Sequence, residues 1–159
     1  MKNQERIKRN SCKAIIIDDN QLLCVKKSDE TGPYFVIPGG GQNWGEELEK
    51  TLFRECKEEI GTEPKEVLNL VCIREFLGNK QDFPNANKNL HQIEFYWHCS
   101  IDRNKVNMGE NPDSKQIGIE WINIKEIDKT RLYPEIIKDR IKKITECKKI
   151  ENIYVGAAN

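Results

Sequence analysis

A run of three glycines, followed at once by the repeat of an amphipathic helix, constrains the fold of this chain more than any other feature. The glycines are Gly39–Gly41, and the helical repeat places apolar residues at every fourth position: Leu48, Leu52, Cys56 and Ile60. This spacing puts the apolar side chains on one helix face, and Gly61 follows as a C-cap glycine. The sequence therefore predicts a helix over residues 46–60, preceded by a loop whose backbone can approach a ligand closely.

Strand patterns surround this segment on both sides. Residues 91–101 alternate between an apolar set, which includes Ile93 and Phe95, and a polar set, which includes Gln92 and Glu94. A period of two is typical of a strand with one apolar face. Further strands are predicted at residues 12–17, 22–26, 34–37, 67–77 and 117–124, a second helix at 133–148, and polar loops at 78–90 and 103–115. We therefore expect one mixed α/β (α+β) domain with helices packed on a sheet. It would span residues 11–150, between an N-terminal extension (1–10) and a C-terminal tail (151–159).

The charge balance narrows the classes of partner. The chain has 26 Lys and Arg residues against 26 Asp and Glu residues, whereas proteins that bind nucleic acid or membrane surfaces generally carry a basic excess. We expect neither kind of partner, and no stretch is apolar enough for a signal peptide or a membrane span. The six cysteines are scattered without a Cys-x-x-Cys pair, which favours free thiols in the reducing cytoplasm over disulfides or a zinc site.

Three glutamates share one face of the predicted helix. At about 100° per residue, Glu55, Glu58 and Glu59 fall within an arc of roughly 100° beside the apolar stripe. Like charges four residues apart destabilise a helix by about 0.2–0.5 kcal/mol per pair. A hard divalent cation would relieve this repulsion, and Mg²⁺, for which Mn²⁺ can substitute, suits clustered carboxylates. We therefore predict a Mg²⁺ site on this helix.

The glycine loop supplies the complementary half of a phosphate site. Three consecutive glycines expose backbone amides and carbonyls, and a helix N-terminus attracts anions such as phosphate. A segment that offers both cation ligands and a phosphate cradle has the groups that metal-assisted phosphoryl chemistry requires.

Residues 40–62 resemble the signature of the MutT/Nudix hydrolase family, Gly-x5-Glu-x7-Arg-Glu-U-x-Glu-Glu-x-Gly-U, in which U is a bulky apolar residue. All seven fixed positions match: Gly40, Glu46, Arg54, Glu55, Glu58, Glu59 and Gly61. The two U positions hold Cys56 and Thr62, which are smaller than usual. The flanking residues 35–40 and 120–122 are also similar to the family, and the likeness covers residues 11–127. It implies a Nudix-type α/β/α sandwich with a mixed β-sheet. It also implies that metal-activated water cleaves a diphosphate bond joining a nucleoside diphosphate to another moiety.

The resemblance implies roles for individual residues as well. Glu55 and Glu59 would bind metal, and Glu58 would bind a second metal or help to activate water. The carbonyl of Gly39 would complete the coordination, and Arg54 would orient the carboxylates as part of the catalytic set. The substrate would contact Gly39, Gly40, Gly41 and Glu46. The general base is open between Glu58 and, as a weaker candidate, Asp113 on the loop before the last strand.

Glu94 is a further candidate for substrate binding, on the strength of the strand pattern alone. It belongs to the polar face of the strand at residues 91–101, so it either reaches a substrate cleft or faces solvent.

Several narrower or different functions stay open at this point. Within enzymes they are an ADP-ribose pyrophosphatase, a nucleoside triphosphate pyrophosphohydrolase and a diphosphate isomerase of the same fold. A non-catalytic Nudix-like module that senses a nucleotide is the alternative of another class, although such modules usually lose the carboxylates that this chain keeps. In each case the expected partner is a small nucleotide derivative. A homodimer, which is common among relatives, is compatible with the sequence.

Overall fold

The computed structural model describes residues 5–80 and 86–159. Within them lie eight strands: β1 (Ile7–Asp18), β2 (Gln21–Asp29), β3 (Gly32–Val36), β4 (Gly39–Gly41), β5 (Glu66–Leu77), β6 (Leu90–Ser100), β7 (Gly118–Asn123) and β8 (Leu132–Tyr133). The helices are α1 (Leu48–Ile60) and α2 (Ile136–Thr145), with short 3₁₀ helices at Arg103–Lys105 and Ile124–Lys129. The predicted strands and both predicted helices are therefore present, with shifted ends.

The strands form one mixed, curled sheet. Six of them follow the order β5-β6-β1-β2-β3-β8, while β4 pairs with β1 and β7 pairs with β2. The β1–β6 and β3–β8 pairs are parallel, and the other pairs are antiparallel. The long parallel pairing of β1 with β6 places alternate side chains of these two strands side by side on one face of the sheet.

The two helices cover opposite faces of the sheet, which confirms the predicted sandwich. Helix α1 buries the predicted stripe residues Leu52, Cys56 and Ile60 against one face of β1 and β2. Helix α2 packs Ile137 and Ile141 into a second core on the other face. No helix in the described part of the chain combines the length and the apolar character that crossing a bilayer requires.

Both chain ends lie closer to the sheet than the sequence predicted. Strand β1 begins at Ile7 instead of residue 12, and residues 7–10 pair with residues 90–93 of β6. All four residues are exposed and only Ile7 is apolar, so no strand pattern marks them. Backbone pairing at a strand end needs no buried side chains. Likewise, part of the predicted tail at residues 151–159 hydrogen-bonds to β5 through Ile73 and Glu75.

Two further boundaries differ from the prediction. Helix α2 begins at Ile136 rather than residue 133, because Tyr133 belongs to β8. The peptide bond between Tyr133 and Pro134 is cis. It also ends at Thr145, before the exposed residues 146–149. The centre of the predicted loop at residues 78–90, which includes Pro84, lies outside the described residues.

Candidate active site

The three glycines form a strand, not the loop that the sequence predicted. Gly39–Gly41 make up β4 and pair with residues 11–13 of β1. Gly39 has a φ of +131°, and a Cβ there would collide with the carbonyl of Cys12. A Cβ on Gly40 would strike the carboxylate of Glu55. Glycine is therefore required here so that α1 and β1 can approach each other across a backbone without side chains.

Glu59 joins the helix to this strand. Its Oε2 accepts a hydrogen bond of 2.7 Å from the Gly39 amide, and the residue is only 6% exposed. Burial raises the pKa of its carboxyl from 4.5 to about 7, although Lys13 and the Gly39 amide act in the opposite direction. A buried carboxylate of this kind gains a great deal from a nearby cation.

Arg54 organises the other carboxylates. Its guanidinium donates to Glu46 through Nε and Nη2 at 2.8 and 3.0 Å, and through Nη1 to Glu55 at 2.8 Å and Glu58 at 3.4 Å. Nη2 also donates to the Gly41 carbonyl at 2.9 Å. The hydrogen bonds from Arg54 lower the pKa of Glu46 to about 2. One rigid guanidinium thus fixes the end of β4 relative to Glu46, which precedes α1, and to Glu55 and Glu58 within the helix.

A cleft of about 470 Å³ opens beside this arrangement. One wall contains Glu55, Glu58 and Glu59 of α1 together with the β4 glycines. All the signature carboxylates predicted to bind metal therefore border one cavity. Arg54 and Glu46 are the exceptions among the predicted site residues: they pair with each other at 2.8 Å, and neither lines the cleft.

The opposite side of the cleft is polar and largely buried. We call this surface the cleft floor, and it consists of Arg9 and Ser11 of β1, Arg74 of β5, and Gln92 and Glu94 of β6. Strand pairing explains the cluster, since Arg9 lies opposite Gln92, and both Ser11 and Arg74 lie opposite Glu94.

The Glu94 side chain is part of this floor, so the alternative that it faces solvent is wrong. The residue is 6% exposed. Its Oε2 accepts hydrogen bonds from Arg74 at 2.7 Å and from the Tyr96 hydroxyl at 2.8 Å, while Oε1 accepts from Gln92 at 2.9 Å. Burial of an ion pair is tolerated because its polar atoms are hydrogen-bonded. The polar side of β6 therefore packs inside the domain.

Basic side chains border the cleft near the carboxylates. The Lys13 ammonium donates to the Gly39 carbonyl at 2.7 Å, and Lys27 pairs with Asp113 at 2.6 Å. Burial is the largest single influence on the Asp113 carboxyl and acts to raise its pKa, but the hydrogen bonds from Lys27 and the Lys115 amide, together with the positive charges of Lys27 and Lys13, lower the pKa overall. A carboxylate with a lowered pKa is a weaker proton acceptor, which counts against Asp113 as a general base.

Among the cleft residues that sequence inspection missed are Arg9, Ser11, Lys13, Arg74 and Gln92. Arg9, Ser11 and Lys13 alternate with Asn10 and with the buried Cys12. This alternation could have indicated that Arg9, Ser11 and Lys13 share one face of the strand, because alternate side chains of a strand point to the same face. For Arg74 no local signal exists, because its partner Glu94 is twenty residues away.

The residues fit a divalent cation by chemistry more than by their present spacing. No group of three His, Cys, Asp or Glu side chains stands at ligating distance anywhere in residues 5–80 and 86–159. However, Glu59 uses only Oε2 in the hydrogen bonds of the described structure and borders the cleft with Glu55 and Glu58. Oxygen ligands of this type are the ones that Mg²⁺ and Mn²⁺ prefer.

The fold and the site together define an α+β domain with an acidic helix, a glycine strand and a cleft lined by both acidic and basic side chains. The family model for the NUDIX domain matches residues 8–142. The chain therefore belongs to the NUDIX domain family and is a pyrophosphohydrolase. Hydrolases of this family generally use a divalent metal and act on small nucleotide derivatives.

Solved structures share the fold. They include a NUDIX hydrolase from Nitrosomonas europaea, with 17% identity, coverage of 90% of this chain and 92% of that one, and a TM-score of 0.67. The MutT protein from Methanosarcina mazei Go1 has 18% identity, coverage of 92% and 100%, and a TM-score of 0.66. An ADP-ribose pyrophosphatase from Streptococcus suis 89-1591 has 16% identity, coverage of 95% and 98%, and a TM-score of 0.56. No curated protein gives a significant match.

Proposed function

We propose that this enzyme uses Mg²⁺ to hydrolyse the diphosphate bond of a nucleoside diphosphate that is linked to another moiety. One observation carries the proposal: three helix carboxylates and several basic side chains border the same cleft. Carboxylates alone would repel a diphosphate, and basic groups alone would bind it without a metal. Their combination matches a substrate that arrives as a complex of diphosphate and metal.

Glu55, Glu58, Glu59 and the Gly39 carbonyl are the groups that would hold the metal. When bound, Mg²⁺ supplies positive charge for the diphosphate oxygens and makes a water molecule more acidic. Glu59 is suited to the innermost position because it is the most buried of the three glutamates. Lys13 now donates to the Gly39 carbonyl, so this ammonium would turn toward a substrate phosphate when that oxygen becomes a ligand.

Glu58 is the proposed general base. Its side chain is 33% exposed, and its one protein partner in the described structure is Arg54, at 3.4 Å. This weak contact leaves the carboxylate able to accept a proton from a water molecule in the cleft. Arg54 acts as a positioning residue for Glu46, Glu55 and Glu58 through the hydrogen bonds described above.

The nucleoside portion would lie over the cleft floor, near Glu94. The glycine backbone and Lys13 would hold the diphosphate. A cleft of about 470 Å³ suits a nucleotide-sized molecule better than a nucleic-acid chain. The six cysteines are free thiols in the described structure, five of them buried, which supports a reducing compartment such as the cytoplasm as the place of action.

A substrate screen tests the proposal. ADP-ribose, dinucleoside polyphosphates, nucleotide sugars and nucleoside triphosphates would be incubated with the enzyme and Mg²⁺ in ¹⁸O water, and the products would be identified by mass. We expect nucleoside monophosphate among the products and the label on one phosphate. Release of free base, isomerisation without label, or no turnover of any substrate would contradict the proposal.

Thermal unfolding tests the metal ligands separately. Millimolar Mg²⁺ or Mn²⁺ is expected to raise the melting temperature of the wild type, because a ligand that binds only the native state stabilises it. The double variant Glu55→Gln, Glu59→Gln should show little change. Equal increases in both proteins would contradict the assignment.

A further inference from the structure

The last residues of the chain pair with the edge strand β5 of the sheet. They follow the end of the family match at residue 142 in the sequence. We call residues 152–158 the C-terminal strap. It runs along β5, where the Ile73 amide donates to the Ile153 carbonyl at 2.8 Å and the Val155 amide donates to the Ile73 carbonyl at 3.0 Å. The Glu75 amide donates to the Gly156 carbonyl at 2.8 Å. The strap is therefore an ordered part of the fold.

Side chains from two other elements hold the strap in place. Arg140 of α2 is 5% exposed and donates to the Asn152 carbonyl at 2.7 Å. The Tyr154 hydroxyl donates to the carboxylate of Glu75. The strap is thus fixed at its start by a helix and along its length by a strand.

The end of the strap reaches the floor of the substrate cleft. The Ala158 carbonyl accepts a hydrogen bond of 2.5 Å from Nε of Arg74. Nη1 of the same guanidinium donates to Glu94 at 2.7 Å. Arg74 is 1% exposed, so it connects the strap to the cleft through the interior of the domain.

The hydrogen bonds continue across the floor. Glu94 accepts from the amide of Gln92, and Gln92 in turn accepts from Nε of Arg9 at 2.7 Å. Arg9 is exposed at the rim of the cleft. A chain of charge-assisted contacts therefore runs from Ala158 to a side chain that a substrate can touch.

Ser11 indicates that the floor receives a ligand. Its side chain is fully buried and borders the cleft between Arg9 and Lys13. Its hydroxyl has no hydrogen-bond partner among the described residues. Since buried hydroxyls are nearly always hydrogen-bonded, a polar group of a bound molecule would complete this position.

We propose that the C-terminal strap belongs to the substrate site: it orients Arg74, and through Arg74 the Glu94 carboxylate, so that the cleft floor binds the nucleoside portion of the substrate. The inference rests on the proposed function for the identity of the ligand. Arg74 is a positioning residue in this arrangement, because its hydrogen bonds to Ala158 and Glu94 are made to protein atoms. The fork of the guanidinium is essential, since a lysine cannot donate in both directions with fixed geometry.

The experiment removes the end of the strap while keeping its pairing with β5. A chain that ends at Gly156 lacks Ala158 but retains the three backbone hydrogen bonds to Ile73 and Glu75. Calorimetry in the presence of Mg²⁺ would measure the dissociation constants of two probes. The first is whichever of ADP, GDP, CDP and UDP gives the largest thermal stabilisation of the full-length chain. The second is imidodiphosphate, which has no nucleoside.

We expect the shortened chain to bind the nucleoside diphosphate about tenfold more weakly, which is the usual effect of losing one hydrogen bond to a charged group. Its affinity for imidodiphosphate should change less than twofold. If the enzyme turns over a nucleotide substrate, the shortened chain should show a higher KM for that substrate than the full-length chain, without a comparable loss of kcat. The variant Glu151→Gln, which changes an exposed residue just before the strap, should match the wild type in both affinities.

Arg74→Lys supplies the second measurement. If the strap acts through Arg74, shortening the chain in this variant should weaken nucleotide binding less than twofold further. If the truncation and Arg74→Lys weaken nucleotide binding by factors that multiply in the combined variant, the inference is overturned. It is also overturned if the shortened chain loses the same affinity for imidodiphosphate as for the nucleoside diphosphate. A full-length chain that binds no nucleoside diphosphate more tightly than imidodiphosphate would also overturn it. Normal binding without turnover of any substrate would instead count against the proposed function alone.

Discussion

Glu59→Gln should stabilise the metal-free protein, and the structure sets the size of the effect. Burial raises the pKa of the Glu59 carboxyl from 4.5 to about 7. Since one pKa unit corresponds to about 1.4 kcal/mol, the ionised carboxylate costs the folded protein up to about 3 kcal/mol at pH 8. Glutamine carries no charge and keeps an oxygen that can accept the hydrogen bond from the Gly39 amide. The variant therefore removes the cost and retains the contact.

The sign of the effect depends on pH. A carboxyl whose pKa is higher in the folded state leaves the protein most stable below pH 4.5, and this stability is lost as the pH rises through about 7. The wild type in EDTA should thus become less stable between these pH values, whereas Glu59→Gln should not show this loss. For a domain of this size the full difference at pH 8 corresponds to roughly 6–12 °C in melting temperature.

Urea unfolding in EDTA at pH 5 and pH 8 provides the measurement, with Glu49→Gln as the matched control. Glu49 lies on the same helix but is exposed, so its substitution should change the free energy of unfolding by only a few tenths of a kcal/mol at either pH. A Glu59→Gln protein that is less stable than the wild type at pH 8 would refute the reasoning, because the charge would then be stabilising in the absence of metal.

Three further outcomes are expected from the geometry. Glu58→Gln should lower kcat by at least about a hundredfold with little change in melting temperature, whereas Glu47→Gln, an exposed change at the N-cap of α1, should leave steady-state kinetics near wild type. Gly40→Ala should reduce kcat, because its Cβ would displace the Glu55 carboxylate, whereas stability should fall by less than about 1 kcal/mol because only the end of a flexible side chain has to move. In Gly118→Ala, the control, the Cβ would meet only a lysine side chain at 3.9 Å, and kcat should stay near wild type. Arg54→Lys should lower kcat about tenfold or more, because lysine cannot replace a guanidinium that donates hydrogen bonds in several directions. A variant with the kcat of the wild type would contradict the positioning role of Arg54.

Local patterns explain why the acidic wall of the cleft could be predicted. The apolar stripe from Leu48 to Ile60 determines which face of the helix is buried. The 3.6-residue period of the helix then determines the directions of Glu55, Glu58 and Glu59 relative to that face. The structure places these three side chains at the cleft. The C-cap at Gly61 is also confirmed, because its amide donates to the Lys57 carbonyl at 3.2 Å.

The cleft floor could not be predicted, because strand pairing over long sequence separations creates it. Arg74 and Glu94 meet only through the register of β5 and β6, and Arg9 meets Gln92 only through the parallel pairing of β1 and β6. The alternation along residues 91–101 was recognised correctly. Its polar set, however, includes Gln92, Glu94 and Tyr96, which are buried on the face of β6 for which the sequence left both a cleft and solvent open. Period alone distinguishes two faces but not their environments.

The glycine segment shows how one peptide unit couples the two sides of the site. The amide of Gly39 donates to Glu59, and its carbonyl accepts from Lys13. The acidic helix and the basic strand are therefore positioned by the same residue, whose φ of +131° excludes other amino acids. A displacement of α1 would move this peptide, and the peptide would carry the Lys13 ammonium with it. In the metal-free protein this one peptide therefore fixes Lys13 relative to Glu59, and the proposed binding of metal at the Gly39 carbonyl would end that hydrogen bond and free the Lys13 ammonium for a substrate phosphate.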